Sequence, residues 1–242
     1  MLYRIRLSWG RPILSNILLD FQEGYFVTHE ERIKQIVEVA YDRLCGKITG
    51  QRIQVDNEAS LQLHFASILK TLGELYEESP SERFNIELEK SVKLMGGKFA
   101  KSGTEKAKID IWFSLEDIEN GVSHACAIEL KYFKRANHRE PNNRYDVYKD
   151  LQNLERYGDF VDAGYLLVAT DHSHYIHQEK YSPDTEGFDI RHGKSYRAGT
   201  ELLYRTEKPY GPPITLRNDY TFTWQTVEAG LSFLFVAVAP RK

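Results

Sequence analysis

The stretch Ser123-His124-Ala125-Cys126-Ala127-Ile128-Glu129-Leu130-Lys131-Tyr132 decides how this chain reads. It is apolar on both faces until Glu129, the pattern of a central strand covered on both sides. Side chains alternate along a strand, so Glu129 and Lys131 share a face and set a carboxylate beside an ammonium at the strand's C-terminal end. The preceding strand candidate, Lys106 to Leu115, places Ile109, Ile111, Phe113 and Leu115 on one face and Asp110, Trp112 and Ser114 on the other. Paired as a hairpin, the two strands bring Asp110 toward Glu129. Two ionised carboxylates in a half-buried site repel each other unless a cation lies between them. Hard oxygen ligands favour magnesium. A metal held by Asp110 and Glu129, with the backbone carbonyl of Leu130, would polarise a phosphate and lower the pKa of a bound water. Lys131 would orient or help deprotonate that water, or stabilise negative charge developing on phosphorus. Phosphodiester hydrolysis is the natural output.

Working outward, Thr28-His29-Glu30-Glu31 has the form of a capping box, and Ile33, Ile36, Val37, Ala40, Tyr41 and Leu44 follow at helical spacing, predicting a helix over about 28–45. A second helix opens at Asp56 or Asn57 and runs to about Glu78, with Leu61, Phe65, Ile68, Leu72 and Leu75 as its buried stripe and Glu58 on the same stripe. Strand candidates follow at Phe84 to Leu88, Lys106 to Leu115 and His124 to Phe133, separated by loops holding Gly96-Gly97 and Asn120-Gly121. A polar stretch from Lys134 to Asn143 leads into a helix from Arg144 to Tyr157, and Ala163 to Thr170 reads as a further strand. The order helix, strand, strand, strand, helix, strand implies an α/β (α+β) domain, a mixed sheet flanked by helices. Alternation over Thr215 to Val227 and the apolar run Leu231 to Ala239 predict a C-terminal β-hairpin. One domain over 1–242 is expected, with an N-terminal elaboration (1–55), a core (56–170) and a β-rich extension (171–242). Leu2 to Phe26 reads as irregular or weakly stranded.

Composition narrows the classes. With 242 residues, 41% hydrophobic and 28% charged, the chain has an ordinary globular make-up, and no apolar run reaches the roughly 18–20 residues that cross a bilayer. A cytoplasmic protein without a membrane partner is the expectation. Net charge is −3, which argues against a protein that coats nucleic acid by bulk electrostatics but allows a local basic patch. The two cysteines, Cys45 and Cys126, are read as buried thiols.

With Ile109-Asp110, eighteen residues, and Glu129-Leu130-Lys131, the chain resembles the PD-(D/E)XK nuclease superfamily, which includes many restriction endonucleases. Ile109 stands where the family's pattern has Pro. The resemblance spans about 56–170, including the order of elements, and implies a restriction-endonuclease-like core. It implies that Asp110 and Glu129 are metal ligands and Lys131 a catalytic lysine, and that Glu58, on the helix before the first core strand, adds to the metal site. It also implies that Gln152, on the helix after the third strand, stands near the site, although a solvated face is the default for that helix's polar side. The activity implied is a magnesium-dependent DNA endonuclease, with manganese able to substitute, acting in defence (as in restriction-modification) or DNA processing. A homodimer would let two sites face two strands. The alternatives are a non-catalytic nucleic-acid-binding module that keeps the fold, and a nuclease for RNA or branched DNA.

Lys134, Arg135, Arg139 and Arg144, with His138 among them, follow the Glu129–Lys131 strand and are expected to meet phosphate. His172, His174 and His177 lack supporting ligand spacing, so a solvated loop is read there instead of a zinc site.

Overall fold

The computed structural model describes residues 27–92, 108–227 and 230–241. The expectations for Leu2 to Phe26 and the Gly96-Gly97 loop lie outside them. Thr28 caps helix α1 (His29–Thr49) through the full capping box with Glu31. Asn57 caps α2 (Glu58–Leu75), its side chain accepting from the Ser60 N–H at 2.8 Å while the Ser60 hydroxyl answers the Asn57 N–H. Strands β1 (Glu82–Ser91), β2 (Lys108–Asp117) and β3 (Val122–Phe133) follow, then α3 (Glu140–Glu155) and β4 (Ala163–Thr170). Beyond them come the single-turn α4 (His174–His177) and the short strands β5 (Lys194–Tyr196), β6 (Glu201–Leu202), β7 (Ile214–Thr215), β8 (Tyr220–Phe222) and β9 (Trp224–Thr226). The last strand is β10 (Ser232–Val238). Among the described residues no helix is long and apolar enough to cross a membrane.

Six strands form one mixed sheet in the order β1-β2-β3-β4-β10-β9, with β3 and β4 its parallel pair and all other neighbours antiparallel. The predicted C-terminal hairpin is therefore present, as β9 and β10 laid against β4. Thr215 to Val227 is not the single strand its alternation suggests. It breaks into β7, β8 and β9, and the first two pair with β6 and β5 in separate two-stranded ribbons.

Helices cover both faces. On one, α1 and α2 pack over Ile111, Phe113, Leu115, Cys126, Ile128, Leu130 and Leu167; on the other, α3 and the C-terminal ribbons pack over Ala125, Ala127, Leu166 and Val168. Within the 1–55 segment, Ile33, Ile36, Val37, Ala40 and Leu44 of α1 are fully buried in the same core as β2 and β3. Ile109 packs with the other core, beside Val92, rather than with Ile111. In α2 the buried line is Leu61, Phe65, Leu69 and Gly73. Leu75 is exposed, since it stands about 200° around the helix from Gly73, which faces β1.

Gly73 lets α2 approach β1: a Cβ there would stand 2.3 Å from the Phe84 ring, which is itself held by Phe113 with centroids 5.2 Å apart. Gly73→Ala is expected to destabilise the fold, because a clash at the upper end of roughly 1–3 kcal/mol exceeds the roughly 1 kcal/mol alanine gains in a helix. A lowered midpoint in urea checks this.

Helix α3 begins at Glu140, four residues before the predicted Arg144. Pro141 sits at the helix start, where its fixed φ suits the first turn and its missing N–H is not needed. Cys45 and Cys126 are free and buried, as expected.

Candidate active site

The β2–β3 ladder runs from Asp117↔Val122 to Ile111↔Ile128. One step beyond, the strands part: Asp110 Oδ2 reaches across and accepts the Leu130 backbone N–H at 2.7 Å. A side chain thus replaces the next ladder bond, and the splayed strand ends carry Asp110, Glu129 and Lys131 toward the same face. The main chain of Asp110 is itself held, its carbonyl accepting from Gln62 Nε2 of α2 at 2.7 Å.

Glu129 is fully buried, a costly position for a carboxylate unless it is paired or hydrogen-bonded. The Tyr157 hydroxyl donates to it at 3.0 Å from the 3-10 turn Tyr157–Asp159 that follows α3. Burial, then Glu129, push the Tyr157 phenol far above its ordinary range, so it stays a donor. Lys131 Nζ lies 2.9 Å from Asp150 Oδ2 of α3 and donates to the Leu130 carbonyl at 3.0 Å. Burial would strip that proton, but Asp150, Asp110, Glu129 and Glu58 together outweigh it and hold Lys131 firmly as an ammonium.

Glu58 stands in the first turn of α2, whose N-terminus rests over the end of β3. The residue is solvent-exposed as a whole, but its carboxylate turns inward and accepts the Tyr132 N–H at 3.3 Å. Loss of water around that carboxyl raises its pKa; Lys131 pulls the other way, and Asp110 and Asp150 add to the rise. Four carboxylates, Glu58, Asp110, Glu129 and Asp150, therefore share one lysine. Among the described residues no three Asp, Glu, His or Cys side chains are set, as they stand, to hold one ion together. The donor set still suits magnesium, which takes one or two carboxylates and keeps several waters. Asp110 and Glu129 could supply the carboxylates, and the Leu130 carbonyl, with two lone pairs, could serve Lys131 and a cation at once.

Asp150 and Tyr157 were not expected. Asp146, Asp150, Asn153 and Tyr157 recur at i, i+4, i+7 and i+11, a stripe adjoining the apolar face of Val147, Leu151 and Leu154. That spacing was the available signal. Gln152 turns away from it: its amide donates to the Thr215 carbonyl at 3.3 Å and accepts from Lys149 at 3.0 Å, binding α3 to β7.

The basic segment divides. Arg135 and Arg139 are exposed and Lys134 partly so, on the short turn between β3 and α3. Lys134 lies over the Tyr132 ring at 5.9 Å, and Arg139 reaches the Tyr210 hydroxyl at 3.2 Å. Arg144, expected at the phosphate surface, is instead almost wholly buried. The early start of α3 points it inward, where it donates to the Thr185 and Phe188 carbonyls and the Thr185 hydroxyl, with its guanidinium 3.6 Å from the Tyr181 ring centre. Arg144→Ala is expected to destabilise the protein by about 2–4 kcal/mol, through unsatisfied carbonyls and lost packing. Arg139→Ala, at an exposed position, should change stability by less than about 0.5 kcal/mol. Thermal unfolding separates the two.

The histidine segment forms α4 after β4 instead of a plain solvated loop, and His172 Nε2 meets Glu140 at 3.1 Å. Comparison with protein-family models, curated proteins and solved structures finds no match to this chain.

Proposed function

We propose that this chain is a magnesium-dependent DNA endonuclease of the PD-(D/E)XK kind, with a restriction-endonuclease-like core. One observation carries the reading. Where β2 and β3 part, Asp110 takes the Leu130 N–H, the buried Glu129 precedes it in the chain, and Lys131, held as a cation near both carboxylates, donates to the Leu130 carbonyl. An ordinary strand end carrying a surface ion pair would not bury a glutamate completely or draw four carboxylates around one lysine.

Asp110, Glu129 and the Leu130 carbonyl would hold the ion, with Glu58 at the solvent edge. The bound ion would polarise the scissile phosphate and acidify the attacking water. Asp110 is aimed by the Leu130 N–H and Glu129 by Tyr157, so neither has to reorganise when charge develops. Lys131 is favoured as an ammonium by the carboxylates around it. Its part is to offset the negative charge that builds on the phosphoryl oxygens as water adds and the ester oxygen leaves. Lys134, Arg135 and Arg139, at the same end of the sheet, give the phosphate chain a cationic approach.

Supercoiled plasmid incubated with the purified protein tests the reading. Conversion to open-circular or linear form is expected with magnesium or manganese and none with a chelator. Intact plasmid and intact single-stranded circular DNA with both metals, from folded protein, would overturn it. A homodimer is expected if both strands are cut at once, and sedimentation with and without duplex checks that.

A further inference from the structure

The proposed nuclease site continues along α3 into a feature it does not use. Tyr145, Tyr204 and Tyr210 pack edge to face, with centroids 5.3 Å apart for Tyr145 and Tyr210 and 5.8 Å for Tyr145 and Tyr204. Tyr210 is 43% exposed, and with Tyr204 and Asn142 it walls an open cavity of about 790 Å³. The cavity's cations, Arg205 and Lys208, are matched by Asp184 and Glu207, and Arg205 is engaged by Glu186 at 3.3 Å. A charge-balanced pocket is a poor seat for phosphate but a good one for a flat, neutral, polar-edged ring. Next door, Arg139 touches the Tyr210 hydroxyl from the exposed turn that also carries Lys134 and Arg135, with Asp146 on the hydroxyl's other side.

The cavity is also tied to the reacting centre. The Tyr210 hydroxyl meets Asp146 at 3.4 Å, and Asp146 stands one turn of α3 before Asp150, the partner of Lys131. Asn142, Asp146 and Asp150 recur every four residues, a line of roughly 12 Å along the helix. At roughly 3.4 Å per stacked nucleotide, that is about three or four nucleotides.

Resting on the nuclease reading, we infer that this cavity takes an unpaired base of the strand whose phosphate lies at Lys131, stacked against Tyr210, so that the substrate is single-stranded or locally melted DNA. Stacking on an aromatic ring beside a cationic track is how unpaired strands are held without sequence preference. A base within an intact duplex would first have to leave its stack.

Fluorescence anisotropy with a labelled single-stranded oligonucleotide and the blunt duplex of the same length, in chelator so that nothing is cut, tests this. The full chain should bind the single strand at least about tenfold more tightly. Tyr210→Ala should weaken single-strand binding by roughly 5- to 150-fold, the effect of losing one base–aromatic stack, and leave duplex binding unchanged. Tyr210→Phe should bind like the unaltered protein, because the ring and not the hydroxyl holds the base. Equal affinity for the two DNAs, no loss in Tyr210→Ala, or equal loss in Tyr210→Phe would each overturn the inference. Because no step here requires cleavage, plasmid cutting with normal Tyr210→Ala binding would sink only the base pocket. Tight single-strand binding through Tyr210 by a protein that never cuts would sink only the nuclease reading.

Discussion

Glu129→Gln is expected to reduce magnesium-dependent plasmid cleavage by about three orders of magnitude or more while the protein stays folded. The glutamine keeps the shape of the side chain and an oxygen to accept the Tyr157 hydroxyl, so the buried hydrogen bond survives. What it removes is the negative charge. If that charge holds the ion, several kcal/mol of transition-state stabilisation go with it, at a factor of ten per 1.36 kcal/mol. Lys131→Ala should cost about 10²–10³-fold, the usual price of one electrostatic stabiliser, with an added stability loss because it strands Asp150 in a buried position. Cleavage rates are therefore to be compared at a temperature where circular dichroism shows both variants folded. Undiminished cutting by both would remove these residues from the chemistry.

Arg32→Ala is expected to destabilise the fold by about 3–5 kcal/mol, a fall in melting temperature of roughly 6–20 °C. Arg32 of α1 makes two hydrogen bonds to the Glu82 carboxylate, at 2.6 and 2.9 Å, and both residues are buried where α1 meets the start of β1. The Glu78 N–H also donates to Glu82 at 2.6 Å. The hydrogen bond from Arg32 is the main cause that brings the Glu82 carboxyl down to about 2, burial opposing it. A folded-state value below the unfolded one contributes stability that is complete above about 4.5 and is lost as the pH falls toward about 2. Without Arg32 the buried carboxyl has lost its main counter-charge and takes up a proton more readily. The stability gap between the two proteins should therefore be widest near neutral pH and narrow as acid is added. Urea midpoints measured from pH 7 down to pH 3 check both size and sign; a gap constant with pH would mean that the arginine acts through packing alone.

How much was legible beforehand depended on the range of the interactions involved. The apolar run from Ala125 to Leu130 broken by Glu129, the 3.6-residue stripes of α1 and α2, the capping residues Thr28 and Asn57 and the breaks between strands are local. The sequence by itself therefore determined the element order from α1 to β4, the helix-covered mixed sheet and the shared face of Glu129 and Lys131. The tertiary structure decided what depends on contacts across distant segments. It set the departure of β2 from β3 that lets Asp110 take the Leu130 N–H, and the burial of Glu129 under Tyr157. It brought Asp150 to Lys131 and turned Arg144 away from solvent into the Thr185 to Phe188 segment. Polar residues on α3 look alike in sequence whether they face water or a buried cation. Which they face is set by how the helix rolls onto the sheet, and that roll comes from the summed packing of side chains far apart along the chain.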